Sequence, residues 1–242
     1  MSEPIHVVHC GLVPYDEAYE LQARLRERRQ HGDLADVLLL LEHPPVYTRG
    51  RRATPEELPM GVEWYEAQGI EVRDTERGGR VTYHGPGQLV AYPIVSLAPY
   101  GGDVLEYVRN LERAMIAAIG DFGIEAGLIE GETGVWVHGD GPARKIGAIG
   151  LHISRGVTTH GLAVNVNNDL QPFEWVVPCG IEGCAVTSIT RELGAEQDFE
   201  AFAAALTARY GETFDREPIP TDLAALDREQ ATTSLAEQVP IR

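Results

Sequence analysis

The sequence predicts an α/β protein: a single domain with one mixed sheet and flanking helices. Short apolar runs of strand length recur from Ile5 to Val166, amphipathic helical segments interrupt and follow them, and no repeat or linker composition divides residues 5–212. A chain of 242 residues is long enough to bury a sizeable core around such a sheet.

Residues 5–9 read as a first strand and residues 15–30 as a charged amphipathic helix with Ala18, Leu21 and Leu25 on one side. Residues 37–41 form a continuous apolar run expected to be buried on both faces, stopped by His43-Pro44-Pro45. The stretch that follows, with Arg49-Gly50-Arg51-Arg52, is expected to be loop, then residues 62–68 a short helix and residues 70–72 a strand. Residues 77–88 are a glycine-rich loop around a short β-prone piece, leading into a strand over 88–95. Asp103 with Glu106 three positions on is a capping-box-like start, and Leu105, Val108, Leu111, Met115, Ile119 and Phe122 predict a helix with a core-facing stripe that runs to Gly123. Residues 134–137, 146–153 and 162–166 are strand-like, so that Lys145 begins a strand. Residues 198–210 predict a second helix, with Phe199, Phe202, Leu206 and Tyr210 buried and Gly211 ending it. Beyond Pro218 the polar, proline-punctuated tail is expected to be a loose extension.

Composition narrows the function. A net charge of −17 argues against a general nucleic-acid surface, although arginines cluster locally at 24–29, 49–52 and 73–80. The opening MSEPIHVVHCG lacks a basic stretch followed by an apolar one, and no run has membrane-spanning length, so a cytoplasmic protein without membrane contact is expected. Three cysteines, Cys10, Cys179 and Cys184, suit a reducing compartment, and Cys179 and Cys184 have no second ligand pair to complete a zinc site, so no metal is expected. Neither Gly85-Pro86-Gly87 nor Gly78-Gly79 has the spacing of a phosphate-binding loop or a dinucleotide fingerprint, and no cofactor is expected.

Two residues stand out chemically. Cys179, in Val176-Val177-Pro178-Cys179-Gly180-Ile181, follows an apolar run and lies between a proline and a glycine, a frame suited to displaying a thiol on a shaped loop. Of 20 basic residues, Lys145 alone is lysine, the one of the two basic types that readily gives up its proton. A nucleophilic thiol needs a nearby cation or imidazole, so both a Cys-Lys pair and a Cys-His pair with His84, His152 or His160 fit the residues.

Four segments in order settle the choice by likeness: Arg77-Gly78-Gly79-Arg80-Val81-Thr82-Tyr83-His84-Gly85-Pro86-Gly87-Gln88, Arg144-Lys145-Ile146-Gly147-Ala148-Ile149-Gly150, Thr159-His160-Gly161-Leu162-Ala163-Val164-Asn165, and Pro178-Cys179-Gly180-Ile181. Together they resemble the signature motifs of the octanoyltransferases of lipoate biosynthesis, the lipoyl(octanoyl) transferase family, over residues 40–188. The resemblance implies a fold shared with the catalytic domain of lipoate and biotin protein ligases, with residues 1–217 as catalytic domain and 218–242 as an extension. It implies an acyltransferase that moves octanoyl from octanoyl-acyl carrier protein to a lysine of lipoyl-accepting domains, with Cys179 as acyl-thioester nucleophile and Lys145 as its activator. Arg77, Gly78, Gly79, Arg80, Val81, Thr82, Tyr83 and His84, then Ala148, Ile149 and Gly150, then Gly161, Leu162 and Ala163, would bind the acyl substrate.

Further expectations follow from that chemistry. Strands around Ile149, Leu151 and Leu162 would form the acyl channel, and amides near Gly147–Gly150 or Gly180 the oxyanion donors. Arg49, Arg51, Arg52, Arg73 and Arg77 would dock the acidic carrier protein, and the enzyme is expected to be a monomer. The rivals are an ATP-dependent ligase on the related fold, an octanoyl amidotransferase that takes its acyl group from another protein, and a non-catalytic carrier-binding module.

Overall fold

The computed structural model describes residues 2–139, 141–176 and 185–226. In chain order its elements are β1 (Glu3–Leu12), α1 (Tyr15–His31), β2 (Val37–Glu42), β3 (Val46–Arg49), α2 (Val62–Ala67), β4 (Glu71–Asp74), β5 (Val81–His84) and β6 (Gln88–Ile94). Then follow α3 (Val104–Gly120), β7 (Ala126–Gly127), β8 (Val135–Val137), β9 (Arg144–Ser154), β10 (Val157–Asn165), α4 (Gln171–Glu174), β11 (Ala185–Val186), α5 (Ile189–Leu193), α6 (Phe199–Phe214) and β12 (Arg216–Pro220).

Nine of the described strands form one mixed sheet in the order β12-β1-β2-β6-β10-β9-β8-β7, with β11 beside β9. β1 runs parallel to both β2 and β12, whereas the pairs β2–β6, β6–β10 and β10–β9 are antiparallel. The sheet is covered on both faces, which explains the unbroken apolar run in β2. Leu38 and Leu40 pack with Leu111, Met115 and Ile119 of α3 and Phe202 and Leu206 of α6, while Leu39 and Leu41 pack with Ala18, Leu21 and Leu25 of α1. A second, three-stranded sheet, β4-β3-β5, has its own core of Tyr47, Tyr65, Val72, Val81 and Tyr83.

The structure departs from the sequence reading at five places. Residues 46–49 are a strand, because this polar-flanked stretch pairs on both sides, with β4 and with β5. Leu105 is 66% exposed; Tyr107, wholly buried, takes the inward position in the first turn of α3. Asp103 does accept from Glu106 N at 3.0 Å, but the Glu106 carboxylate turns to Arg113 instead of back to the cap. Gly211 does not end α6: it lies within the helix where β12 crosses closely, and a Cβ there would sit 2.9 Å from Arg216 O and 2.9 Å from Pro218 Cγ. The helix ends instead at Asp215, in the left-handed region at φ 49°. Finally, the chain beyond Pro218 continues in β12 and packs as far as Leu226, whose carbonyl accepts from Arg28 Nη2 at 2.9 Å. The expected boundary after residue 217 thus falls inside a paired strand.

Both long amphipathic helices that carry the α3–α6 layer begin with an aspartate cap, Asp103 to Glu106 N and Asp198 to Ala201 N, each at 3.0 Å. Replacing either by alanine strands a helix N–H group and is expected to lower unfolding free energy by about 1 kcal/mol, read as a lower urea midpoint at unchanged slope.

Candidate active site

The site is built on the β9–β10 hairpin. Its antiparallel register sets Ala148 opposite Ala163 and Gly150 opposite Gly161. Larger neighbours point the other way: Leu162 belongs to the core under α3, and Ile149 and Leu151 pack against that core. Small side chains therefore leave a hollow over the hairpin, a cleft of about 440 Å³ lined in part by Ala148, Gly150, Gly161 and Ala163. The expected channel of Ile149, Leu151 and Leu162 is corrected accordingly. Ile149 and Leu162 border the cleft, but the apolar bulk of all three supports the floor from below.

A loop closes over this floor. Arg77 is buried, and its guanidinium donates to Thr48 O (2.6 Å), Thr48 Oγ1 (2.8 Å), Arg80 O (2.7 Å) and Gly78 O (3.0 Å). Gly78 N donates to Leu151 O at 2.8 Å and ties the loop to β9. Gly50 lets the 49–52 turn approach, since a Cβ there would lie 2.6 Å from Gly79 O. Glu57 holds the far side, accepting from Arg80 Nη1 (2.5 Å) and Val81 N (3.1 Å). Arg77, Gly79, Arg80, Val81, Thr82 and His84 line the cleft. Tyr83 turns away, packing on Tyr47 and Phe173 at ring distances of 5.4 and 5.5 Å.

The arginines expected at a docking surface divide. Arg77 is internal, Arg49 pairs with Asp74, and Arg73 pairs with Asp16 and Glu71. Arg51 and Arg52 are exposed, and Arg52 borders the cleft.

Behind the loop lies a buried polar cluster. His84 Nδ1 donates to Gln88 Oε1 at 2.6 Å, because the Gln88 amide nitrogen is engaged with Tyr83 O and Asn165 Oδ1. Asn165 Nδ2 in turn donates to Thr187 O at 2.9 Å, and Thr187 N donates to Lys145 O at 2.9 Å. His43 donates from Nδ1 to Val13 O (2.7 Å) and accepts from Tyr92 OH at Nε2 (2.8 Å). Desolvation lowers the pKa of His43 to about 4 and of His160 to about 3, and pushes His84 well below the ordinary range. The nearby Arg77 charge adds to the effect at His84 and His160. His152 lies apart, 3.5 Å from Glu76.

Lys145 is the second residue of β9, opposite Trp136 of β8 and Val186 of β11. It is 8% exposed and lines the cleft. Its Nζ donates to Thr133 O at 3.1 Å and lies 4.8 Å from the Trp136 ring centroid. Gly134 packs beside it and is tolerated only as glycine, because its φ is 120° and a Cβ would lie 2.6 Å from Gly147 O, as well as 2.8 Å from Lys145 Cε. The Gly134 amide is held by Glu112, a wholly buried carboxylate of α3, at 2.9 Å, and Arg109 neutralises Glu112 at 2.6 Å. Sequence reading missed this buffer behind the lysine. The available signal was spacing: Glu112 lies four positions after Val108 and three before Met115, on the buried stripe.

Cys179 and Cys184 lie outside the described residues. The described chain resumes at β11, where Ala185 pairs with Arg144 and Val186 with Lys145. Among the described residues no group of His, Cys, Asp and Glu is placed to hold a metal ion, and no helix is long and apolar enough to cross a membrane.

This double-faced mixed sheet, with a cleft over one hairpin, is the fold of the lipoate and biotin protein ligases. It superimposes on the bi-partite lipoate protein ligase of Thermoplasma acidophilum with a TM-score of 0.71 at 16% identity, covering 98% of this chain and 93% of the other. For the biotin protein ligase of Aquifex aeolicus the TM-score is 0.51 at 12% identity, covering 89% and 70%. The family model "Lipoyl protein ligase A/B catalytic domain" matches residues 14–211, and the chain belongs to that family. It is 48% identical to an octanoyltransferase of Mycobacterium sp. (strain KMS) over 88% of this chain and 87% of the relative.

The buried histidines have a consequence for acid stability. In the unfolded chain they titrate near 6.5, in the folded protein near 3 to 4 for His160 and His43, so the unfolded state binds more protons between those values. Their contribution is complete above pH 6.5 and is lost as pH falls toward 4. Each is expected to cost about 2 kcal/mol between pH 6.5 and 5, read as a falling urea midpoint. In the folded protein at pH 5, NMR should show both imidazoles neutral.

Proposed function

We propose that this protein is an octanoyltransferase that carries octanoyl from octanoyl-acyl carrier protein to the target lysine of lipoyl-accepting domains, through a thioester on Cys179. The observation that carries the reading is Lys145: the only lysine of the chain is buried and borders a cleft lined by residues of three of the four signature segments. One of the two strands that pair at it, β11, is the one that follows the Cys179 segment in the chain. The octanoyltransferase relative at 48% identity supports the same chemistry.

In the first half-reaction the Cys179 thiolate attacks the donor carbonyl, the carrier's C–S bond breaks, and the carrier thiolate leaves and takes up a proton. In the second, the acceptor lysine's neutral amine attacks the Cys179 thioester, an amide C–N bond forms, and the thiolate is released. The Lys145 ammonium stabilises the Cys179 thiolate by opposite charge and exchanges protons with the thiol and the incoming amine. One thioester replaces another and then gives a more stable amide, so ATP is not consumed. The reaction takes place in the cytoplasm, and the exposed Arg52, which borders the cleft, and its exposed neighbour Arg51 meet the acidic carrier.

Incubation with octanoyl-acyl carrier protein should add one octanoyl group to the intact mass, lost in Cys179→Ala. A persistent adduct in that variant would eliminate Cys179 as nucleophile. Lys145→Arg should keep the charge but lower kcat by about a hundredfold, since guanidinium does not release its proton. Free octanoate with ATP should give no product; turnover there would favour a ligase. Charge reversal at Arg51 and Arg52 should raise KM for the carrier substrate about tenfold at low salt while sparing octanoyl-pantetheine. An unchanged carrier KM would remove these arginines from docking.

A further inference from the structure

We propose that Glu112 is a positioning residue for Lys145 and acts through one peptide group, the bond between Thr133 and Gly134; the inference rests on the reading that Lys145 activates the thiol. The N–H of that peptide, on Gly134, donates to Glu112 Oε1 at 2.9 Å. Its C=O, on Thr133, accepts from Lys145 Nζ at 3.1 Å. The bond is trans, so the two groups point in opposite directions, with the carboxylate on one side of the peptide and the lysine on the other.

The placing of Glu112 needs a reason. It lies on α3 beside Leu111 and three positions before Met115, and it has no exposed surface. Burying a carboxylate is costly unless its oxygens find donors. Here Oε2 accepts from Arg109 Nη1 at 2.6 Å, which leaves Oε1 for the Gly134 amide. A pair with an arginine of the same helix does not require burial: Glu106 and Arg113 make theirs at the surface of α3. What burial adds is the reach to residue 134.

The peptide that Glu112 reaches belongs to a wall of the cleft. Gly131, Glu132 and Thr133 border the cleft from the connection between β7 and β8, a stretch with no strand or helix of its own. Such a wall is placed by what holds it from behind. The helix is itself set on β9, because Met115 packs where Gly147, two residues on from Lys145, leaves no room for a Cβ. Glu112 therefore refers the wall to the same strand that carries the lysine. An anion that accepts from a peptide N–H also polarises that peptide and strengthens its carbonyl as an acceptor for the ammonium.

Lys145 is the only lysine of the chain, so lysine enriched in 13C and 15N gives one side-chain signal that reads its position without catalysis. Glu112→Met keeps the side-chain length and removes the acceptor. Glu112→Asp withdraws the acceptor by one C–C bond, about 1.5 Å, and serves where Glu112→Met does not fold. Glu112→Gln keeps an acceptor for the Gly134 amide and is the rescue. Hydrogen exchange at Lys145 Nζ should rise at least fivefold in Glu112→Met or Glu112→Asp and return at least halfway in Glu112→Gln. With octanoyl-acyl carrier protein, kcat should fall at least tenfold in the first two while KM stays within twofold. Exchange within twofold of wild type in a folded Glu112→Met or Glu112→Asp overturns the inference, as does faster exchange with unchanged kcat. Faster exchange in the variants of a protein that transfers no octanoyl would keep the positioning and refute the transfer reading.

Discussion

The pairing of β9 with β10 is the interaction on which the rest depends. Its register stacks Ala148 on Ala163 and Gly150 on Gly161, and these small residues turn part of a packed sheet face into a cleft. A one-residue slip would send Ile149 and Leu162 into that space and leave the α3 side without them. The same hairpin carries Lys145, the second residue of β9, and His160 of β10, both of which border the cleft. The core beneath is thus a condition of the chemistry above it.

The polar groups around the cleft are arranged to be rigid rather than reactive. Arg77 directs its donors into its own loop, His43 and His84 are neutral and hydrogen-bonded, and Glu112 fixes the Thr133–Gly134 turn against which the lysine rests. Buried groups of this kind specify a single arrangement because leaving any one unpaired costs the full desolvation of that group. A lysine held by a carbonyl, an aromatic ring and a close glycine has little freedom to leave the cleft.

Much of this was legible before the structure. The strands 37–41 and 88–95 and the helices starting near Asp103 and Asp198 follow from apolar periodicity and capping residues, both of which act within a few positions of the chain. The segments that line the cleft were legible as motifs, because glycine at close backbone approaches and a lone lysine leave a mark on composition. Strand β3 and the continuation of α6 through Gly211 were not legible, since both depend on partners supplied by distant strands. Tyr83 shows the same limit: it lies within a lining motif, yet its ring belongs to the core of the small sheet.

Sequence alone determined the mixed α/β class, the main strands and the long helices, and that the chain carries a single lysine, because periodicity, caps and residue chemistry are local properties. Tertiary structure decided which residues share a wall. It turned His160 out of the core through a left-handed backbone, buried Glu112 behind Lys145, and drew Arg77 inward while leaving Arg51 and Arg52 at the surface. Each of these outcomes depends on contacts between residues far apart in the chain, and such contacts are set by sheet register and packing rather than by any local preference.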